Sequence, residues 1–98
     1  MSPTPLSIAH RFSQRKAEGR GALIPYLTAG YPDAETSLRL MEALADGGGD
    51  VLELGIPFSD PLADGPTIQR SSFRALERGM TVEGSLEILR RFRSRHDQ

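Results

Sequence analysis

Asp50-Val51-Leu52-Glu53-Leu54-Gly55-Ile56 is a short apolar run interrupted by one carboxylate, and the loop behind it, Pro57 to Pro66, holds three prolines and two Asp. Such a run, too short for a helix and bounded by breakers, reads as a buried parallel strand. Upstream, Ala22-Leu23-Ile24-Pro25-Tyr26-Leu27-Thr28 reads the same way, although Pro25 removes one ladder donor. Between the two runs Leu38, Met41, Leu44 and Ala45 recur at helical spacing, with Asp33 as N-cap and Gly47-Gly48-Gly49 as the stop. Residues 22–54 therefore make one βαβ unit, with parallel strands and a right-handed crossover.

Further out, Ser7 to Glu18 carries Ile8 and Phe12 one helical turn apart, and Gly19 and Gly21 follow. An amphipathic helix with a glycine stop is expected there. After the proline-rich loop a polar-capped helix is expected from about Thr67, with Ile68, Ala75 and Leu76 as its apolar stripe and Gly79 as its end. Thr81 caps a last helix in which Val82, Leu86, Leu89 and Phe92 or Arg93 repeat at helical spacing. The class is α/β with a parallel sheet. Two strands leave two unpaired edges, so part of the sheet is missing or supplied by a partner.

Composition narrows the function. The 98 residues are 38% hydrophobic and 26% charged, with a net charge of −1 and no cysteine. Those values fit a globular chain and offer no large field to hold nucleic acid or an anionic membrane. Disulfides, thiolate metal sites and a cysteine nucleophile are excluded. No signal-peptide run and no stretch of 18 apolar residues occurs, which places the chain in the cytoplasm. A unit of this size buries a modest core and is marginally stable unless its apolar faces are covered.

Glu53 is the first chemical candidate. An ionised carboxylate inside an apolar strand is costly unless paired or protonated, a condition that acid–base residues exploit and that a purely structural ion pair also meets. Its place near the carboxyl end of a parallel strand favours function, because α/β folds build their sites there. Asp60 and Asp64 are ordinary turn residues by type, yet a second carboxylate completing an acid–base pair would have to come from this loop. Tyr26, Thr28 and Gly30 end the first strand on the same side of the fold; Tyr26 is either a half-buried ring or a wall for a flat aromatic ligand. His10 and His96 lack metal-ligand spacing and read as surface residues. Arg90, Arg91, Arg93 and Arg95 read as cations complementing a helix carboxyl end.

Leu23 to Pro32 and Glu53 to Gln69 together resemble the tryptophan synthase alpha subunit, the second run being near-identical to that family's loop over fourteen or more residues. The resemblance extends from the first helix to about Arg95. It implies a (β/α)₈ TIM barrel that cleaves indole-3-glycerol phosphate to indole and glyceraldehyde 3-phosphate by a retro-aldol step. Glu53 then matches the residue that protonates indole C3 and handles the glyceryl hydroxyl proton, and Asp64 the one that takes the indole N–H. Tyr26 and Thr28 match substrate-site positions, and Pro57 and Asp60 match loop positions that contact the beta subunit. That subunit carries pyridoxal phosphate, receives indole through a tunnel and makes tryptophan from serine in an α₂β₂ tetramer; the alpha subunit itself uses no cofactor and no metal.

A TIM barrel needs roughly 250 residues and forms its phosphate site from the loops after strands 7 and 8. Residues 1–98 are accordingly expected to be the amino-terminal part of a single barrel domain, holding the acid–base pair without the phosphate anchor. Weak or absent activity follows, because remote binding energy positions the reacting carbon. Two other readings stand beside this one: a non-catalytic piece that binds the beta subunit through loop 57–66, and a different sugar-phosphate barrel enzyme sharing only the βα framework.

Overall fold

The computed structural model describes residues 7–58 and 64–96, in the order α1 (Ile8–Ala17), β1 (Tyr26–Thr28), α2 (Ala34–Asp46), β2 (Glu53–Gly55), α3 (Pro66–Glu77) and α4 (Val82–Arg93). Three of the helices begin where a side chain can take an orphan amide. Ser7 accepts the His10 N–H at 3.1 Å, Asp33 the Thr36 N–H at 2.8 Å and Thr81 the Gly84 N–H at 2.9 Å. α3 departs from expectation: its N-cap is Gly65, which offers no side chain, and Pro66 opens the helix instead. Proline suits that position because its fixed φ is helical and its missing N–H would have had no partner.

β1 and β2 pair in parallel, with Tyr26 opposite Glu53, Leu27 opposite Leu54 and Thr28 opposite Gly55. Both strands are shorter than the apolar runs that contain them. Pro25 stands just before β1, where it cannot donate, and its carbonyl accepts the Glu53 N–H at 2.9 Å. Farther back the pairing passes to a side chain: buried Asp50 accepts the Leu23 N–H at 2.8 Å, and Arg15 of α1 lies 3.5 Å from the same carboxylate. That pair, rather than Ile8 and Phe12, faces α1 toward the sheet; both apolar side chains are exposed, which corrects the expected amphipathic contact.

The core is a helix layer on one side of the sheet. Leu38, Met41 and Ala45 of α2 meet Ile88 and Phe92 of α4, and Leu27 and Leu54 pack against them from the strands. The expected stripe of α4 is also corrected. Ser85, Ile88 and Phe92 are buried, whereas Val82 and Leu86 remain 53% and 52% exposed. The two stripes lie roughly 100° apart around the helix at 3.6 residues per turn, and contact with α2 covers only the first.

The terminal arginines do more than complement a helix end. Arg91 bonds Glu35 at 2.6 Å and Arg95 bonds Glu42 at 3.1 Å, both across to α2, while Arg90 pairs with Glu87 on its own helix. His96 is not a free surface residue: its ring stacks on Phe92 with centroids 4.7 Å apart and lies 3.4 Å from Glu42. His10 is half-buried too. At the carboxyl end of β1, Gly30 adopts φ +83° directly under Met80, and a Cβ there would fall 2.7 Å from the methionine Cε.

Candidate active site

Side chains alternate along a strand, so the observed register puts Tyr26, Thr28, Glu53 and Gly55 on one face and Leu27 and Leu54 on the other. The leucine face is the one α2 and α4 cover. Glu53 is exposed, contrary to the buried carboxylate expected from its apolar neighbours. The physical reason is architectural: burial of that face requires further strands around it, and among the described residues the sheet has two.

Tyr26 is 42% exposed, and its ring lies across Gly55 on the neighbouring strand, with the hydroxyl where a Cβ on Gly55 would stand. A glycine is required there for the ring to cross. Thr28 is buried at 4%, and its Oγ1 lies 2.7 Å from Ser71 Oγ on α3. The Ser71 hydroxyl also donates to the Ile68 carbonyl at 3.0 Å, which uses its one proton and leaves Thr28 as donor to Ser71. A cavity of about 220 Å³ opens beside this bond at the edge of β1, where Tyr26, Leu27, Thr28, Leu40, Ile68 and Ser71 are among its lining residues.

Asp64 is half-buried at the entry to α3, and its carbonyl accepts the Gln69 side-chain amide at 2.7 Å. Pro57 is buried, and Asp60 lies outside the described residues. The structure thus gathers Glu53, Tyr26 and Thr28 on one sheet face and links Asp64 to it through α3. Sequence reasoning missed Ser71 and Gln69. The one hint is the Ser71-Ser72 pair in mid-helix, where serine is a poor helix former unless it has a bond to make.

A larger hollow of about 670 Å³ lies on α3 and is lined by Phe58, Pro66, Gln69, Arg70, Phe73 and Leu76, among others. Neither Glu53 nor Tyr26 borders it, so the open strand face that carries carboxylate, ring and hydroxyl is the better place for chemistry; Glu53 opens β2 rather than standing near its carboxyl end as expected, because the ladder forms only over the last residues of the apolar run. Among the described residues no group of three or more His, Cys, Asp or Glu is placed to hold a metal ion, and no helix is long and apolar enough to cross a membrane.

The family model described as "Tryptophan synthase alpha chain" matches residues 12–98. The chain belongs to that family. A Burkholderia thailandensis tryptophan synthase alpha chain is 56% identical over 91 residues, covering 93% of this chain and 34% of the relative. A relative of the same description from Azoarcus sp. is 58% identical over 83 residues, covering 85% of this chain and 31% of its own length. Among solved structures, tryptophan synthase subunit alpha from Legionella pneumophila superposes with a TM-score of 0.87 at 45% identity, covering 91% of this chain and 34% of that one. A mutant alpha subunit from Pyrococcus furiosus gives 0.72 at 49% identity, covering 76% of this chain and 30% of that one. The chain spans about a third of the length of the relatives it matches. Within the tryptophan synthase alpha family the four helices and two parallel strands of the described residues are the amino-terminal part of a TIM barrel.

Proposed function

We propose that residues 1–98 form the amino-terminal part of a single barrel domain and carry the acid–base carboxylates of an indole-3-glycerol-phosphate lyase acting in tryptophan biosynthesis. The observation that carries this reading is the shared strand face of Glu53, Tyr26 and Thr28, with the Asp64 loop tied to its end through α3. Glu53 delivers a proton to indole C3 and accepts one from the glyceryl hydroxyl. Asp64 takes the indole N–H and stabilises the positive charge that grows on nitrogen as C3 is protonated. Tyr26 flanks the flat indole, and Thr28 holds the floor of the pocket.

Two carboxylates in unlike surroundings, one on a strand that later strands would enclose and one in a loop, divide acid and base roles at a single pH. The alpha chain uses no cofactor and no metal. Its partner is a beta subunit that holds pyridoxal phosphate, in a cytoplasmic α₂β₂ assembly approached through the loop of Pro57 and Asp60, with Pro57 forming the buried base of that loop.

The test is indole release from indole-3-glycerol phosphate by this chain extended to full barrel length with the remaining segment of the Burkholderia thailandensis relative. Glu53→Gln and Asp64→Asn should each lower turnover by about 10²–10⁴-fold, the usual contribution of a positioned acid–base group. The 98-residue chain alone should release little or no indole. Full turnover by Glu53→Gln would overturn the assignment, and stimulation of a beta subunit without any cleavage would favour an interaction role instead.

A further inference from the structure

Asp64 and Glu53 sit on different pieces of chain, one in a loop and one on a strand, and catalysis by a pair requires that the distance between them be held. Two side-chain bonds do the holding at the loop's exit. Gln69 reaches back five residues to bond the Asp64 carbonyl at 2.7 Å, and since a carbonyl only accepts, the amide NH₂ end must face it. The Gln69 backbone N–H also bonds the Gly65 carbonyl at 3.0 Å, so the residue grips the turn twice. Two residues farther on, Ser71 receives the Thr28 hydroxyl at 2.7 Å and passes its own proton to the Ile68 carbonyl at 3.0 Å. One bond fixes Asp64 to α3, and the other fixes α3 to the carboxyl end of β1.

We infer that Gln69 and Ser71 are positioning residues for the acid–base pair: they set Asp64 against the strand face that carries Glu53, without touching substrate themselves. The inference rests on the reading of Asp64 given under Proposed function. Gln69 is exposed, and its bond to Asp64 is solvent-accessible. Geometry is where such bonds matter, since a displacement of about 1 Å at a reacting group can cost up to 10²-fold in rate.

The experiment uses the full-length extension described above, with kcat and KM for indole release measured for Gln69→Ala, Gln69→Glu, Ser71→Ala and Ser71→Thr. Gln69→Glu keeps the size of the side chain and removes the N–H, and Gln69 is exposed, so both Gln69 variants stay folded. Expected is a fall in kcat of about tenfold or more for both Gln69 variants and for Ser71→Ala, with KM held within about twofold and recovery in Ser71→Thr. Gln69→Ala should add nothing in an Asp64→Asn background, because both changes disable the same group. If Asp64→Asn abolishes turnover while the Gln69 and Ser71 variants keep it within about twofold, the positioning inference fails and the reading of Asp64 survives. If Asp64→Asn itself is fully active, that reading fails and the inference falls with it.

Discussion

Leu54 and Glu53 are neighbours on β2, yet Leu54 packs into a helix layer while Glu53 faces solvent. The difference runs through the whole chain. On the leucine side α2 and α4 close over Leu27 and Leu54 with Met41, Ile88 and Phe92, and two charge pairs clasp the outer edge. On the opposite side Tyr26 and Glu53 stand uncovered, with Ile24 exposed beside them. One side holds the packed core of the described residues; the other lies open where more strands would enclose it. The packed core and the proposed site residues thereby fall on two faces of one sheet, and substitutions should respect that division.

The largest effect is expected at the centre of the helix layer. Phe92 is 1% exposed, and Phe92→Ala should cost about 3–5 kcal/mol. In a unit this small that removes cooperative unfolding, which thermal circular dichroism would report; a retained sharp transition would show that the layer is not the main source of stability. Gly55→Ala comes next and reads the open face. In the full-length extension, where the Tyr26 ring is enclosed, the added methyl should cost about 1–3 kcal/mol by overpacking. In the 98-residue chain the exposed ring can swing aside, so the cost should fall below about 1 kcal/mol, and comparing the two denaturation midpoints measures how far closure restrains the ring.

Acid sharpens the contrast from the other direction. The hydrogen bond and charge of Arg91 hold the Glu35 carboxyl below its ordinary value of 4.5. Burial pushes Glu42 up, but hydrogen bonds and charges from Arg95 and His96 outweigh it and leave that carboxyl lowered as well. Carboxylates lowered in the folded state add stability above their unfolded value, and the gain is lost as pH falls through the folded one. Melting temperature should therefore decline below pH 4.5, and less steeply in a Glu35→Gln, Glu42→Gln double variant, by a small margin because solvent reaches one partner of each arginine pair. Smallest of all, Leu86→Gln and Glu53→Gln should each shift stability by no more than about 0.5 kcal/mol, since both positions are exposed; a larger loss at Leu86 would mean that the uncovered stripe of α4 already has an occupant.

Those positions also mark where the sequence was and was not legible. Ser7, Asp33 and Thr81 announced three helix starts because a cap is a bond between residues three apart, complete within a local window. The α2 stripe was legible for the same reason: Leu38, Met41 and Ala45 form one apolar face with one place to go. On α4 two adjacent apolar stripes compete, and only the position of α2 decides that Ile88 and Phe92 are covered while Val82 and Leu86 are not. Pro66 in place of a polar cap was misread because proline fits the first helical turn as well as it fits a loop. Glu53 and Asp64 were singled out by strand-end position and loop composition, but the exposure of Glu53 depends on how many strands stand beside it. Ser71 and Gln69 were silent because a polar residue on a helix says nothing of its partner until the fold brings Thr28 and the Asp64 carbonyl within reach.

The close seating of Met80 on Gly30 makes this corner of the molecule sensitive to oxidants. Met80 packs half-buried against the core and stands where α3 hands over to α4, above a turn with no room even for one extra carbon. Its sulfur is the atom that a Cβ on Gly84 would meet at 3.0 Å, so conversion of the thioether to the sulfoxide would place a polar oxygen against the first turn of α4 and lever the helix layer away from the strand end. Peroxide would then act on the protein as a mechanical wedge, striking where the helix layer meets the end of β1.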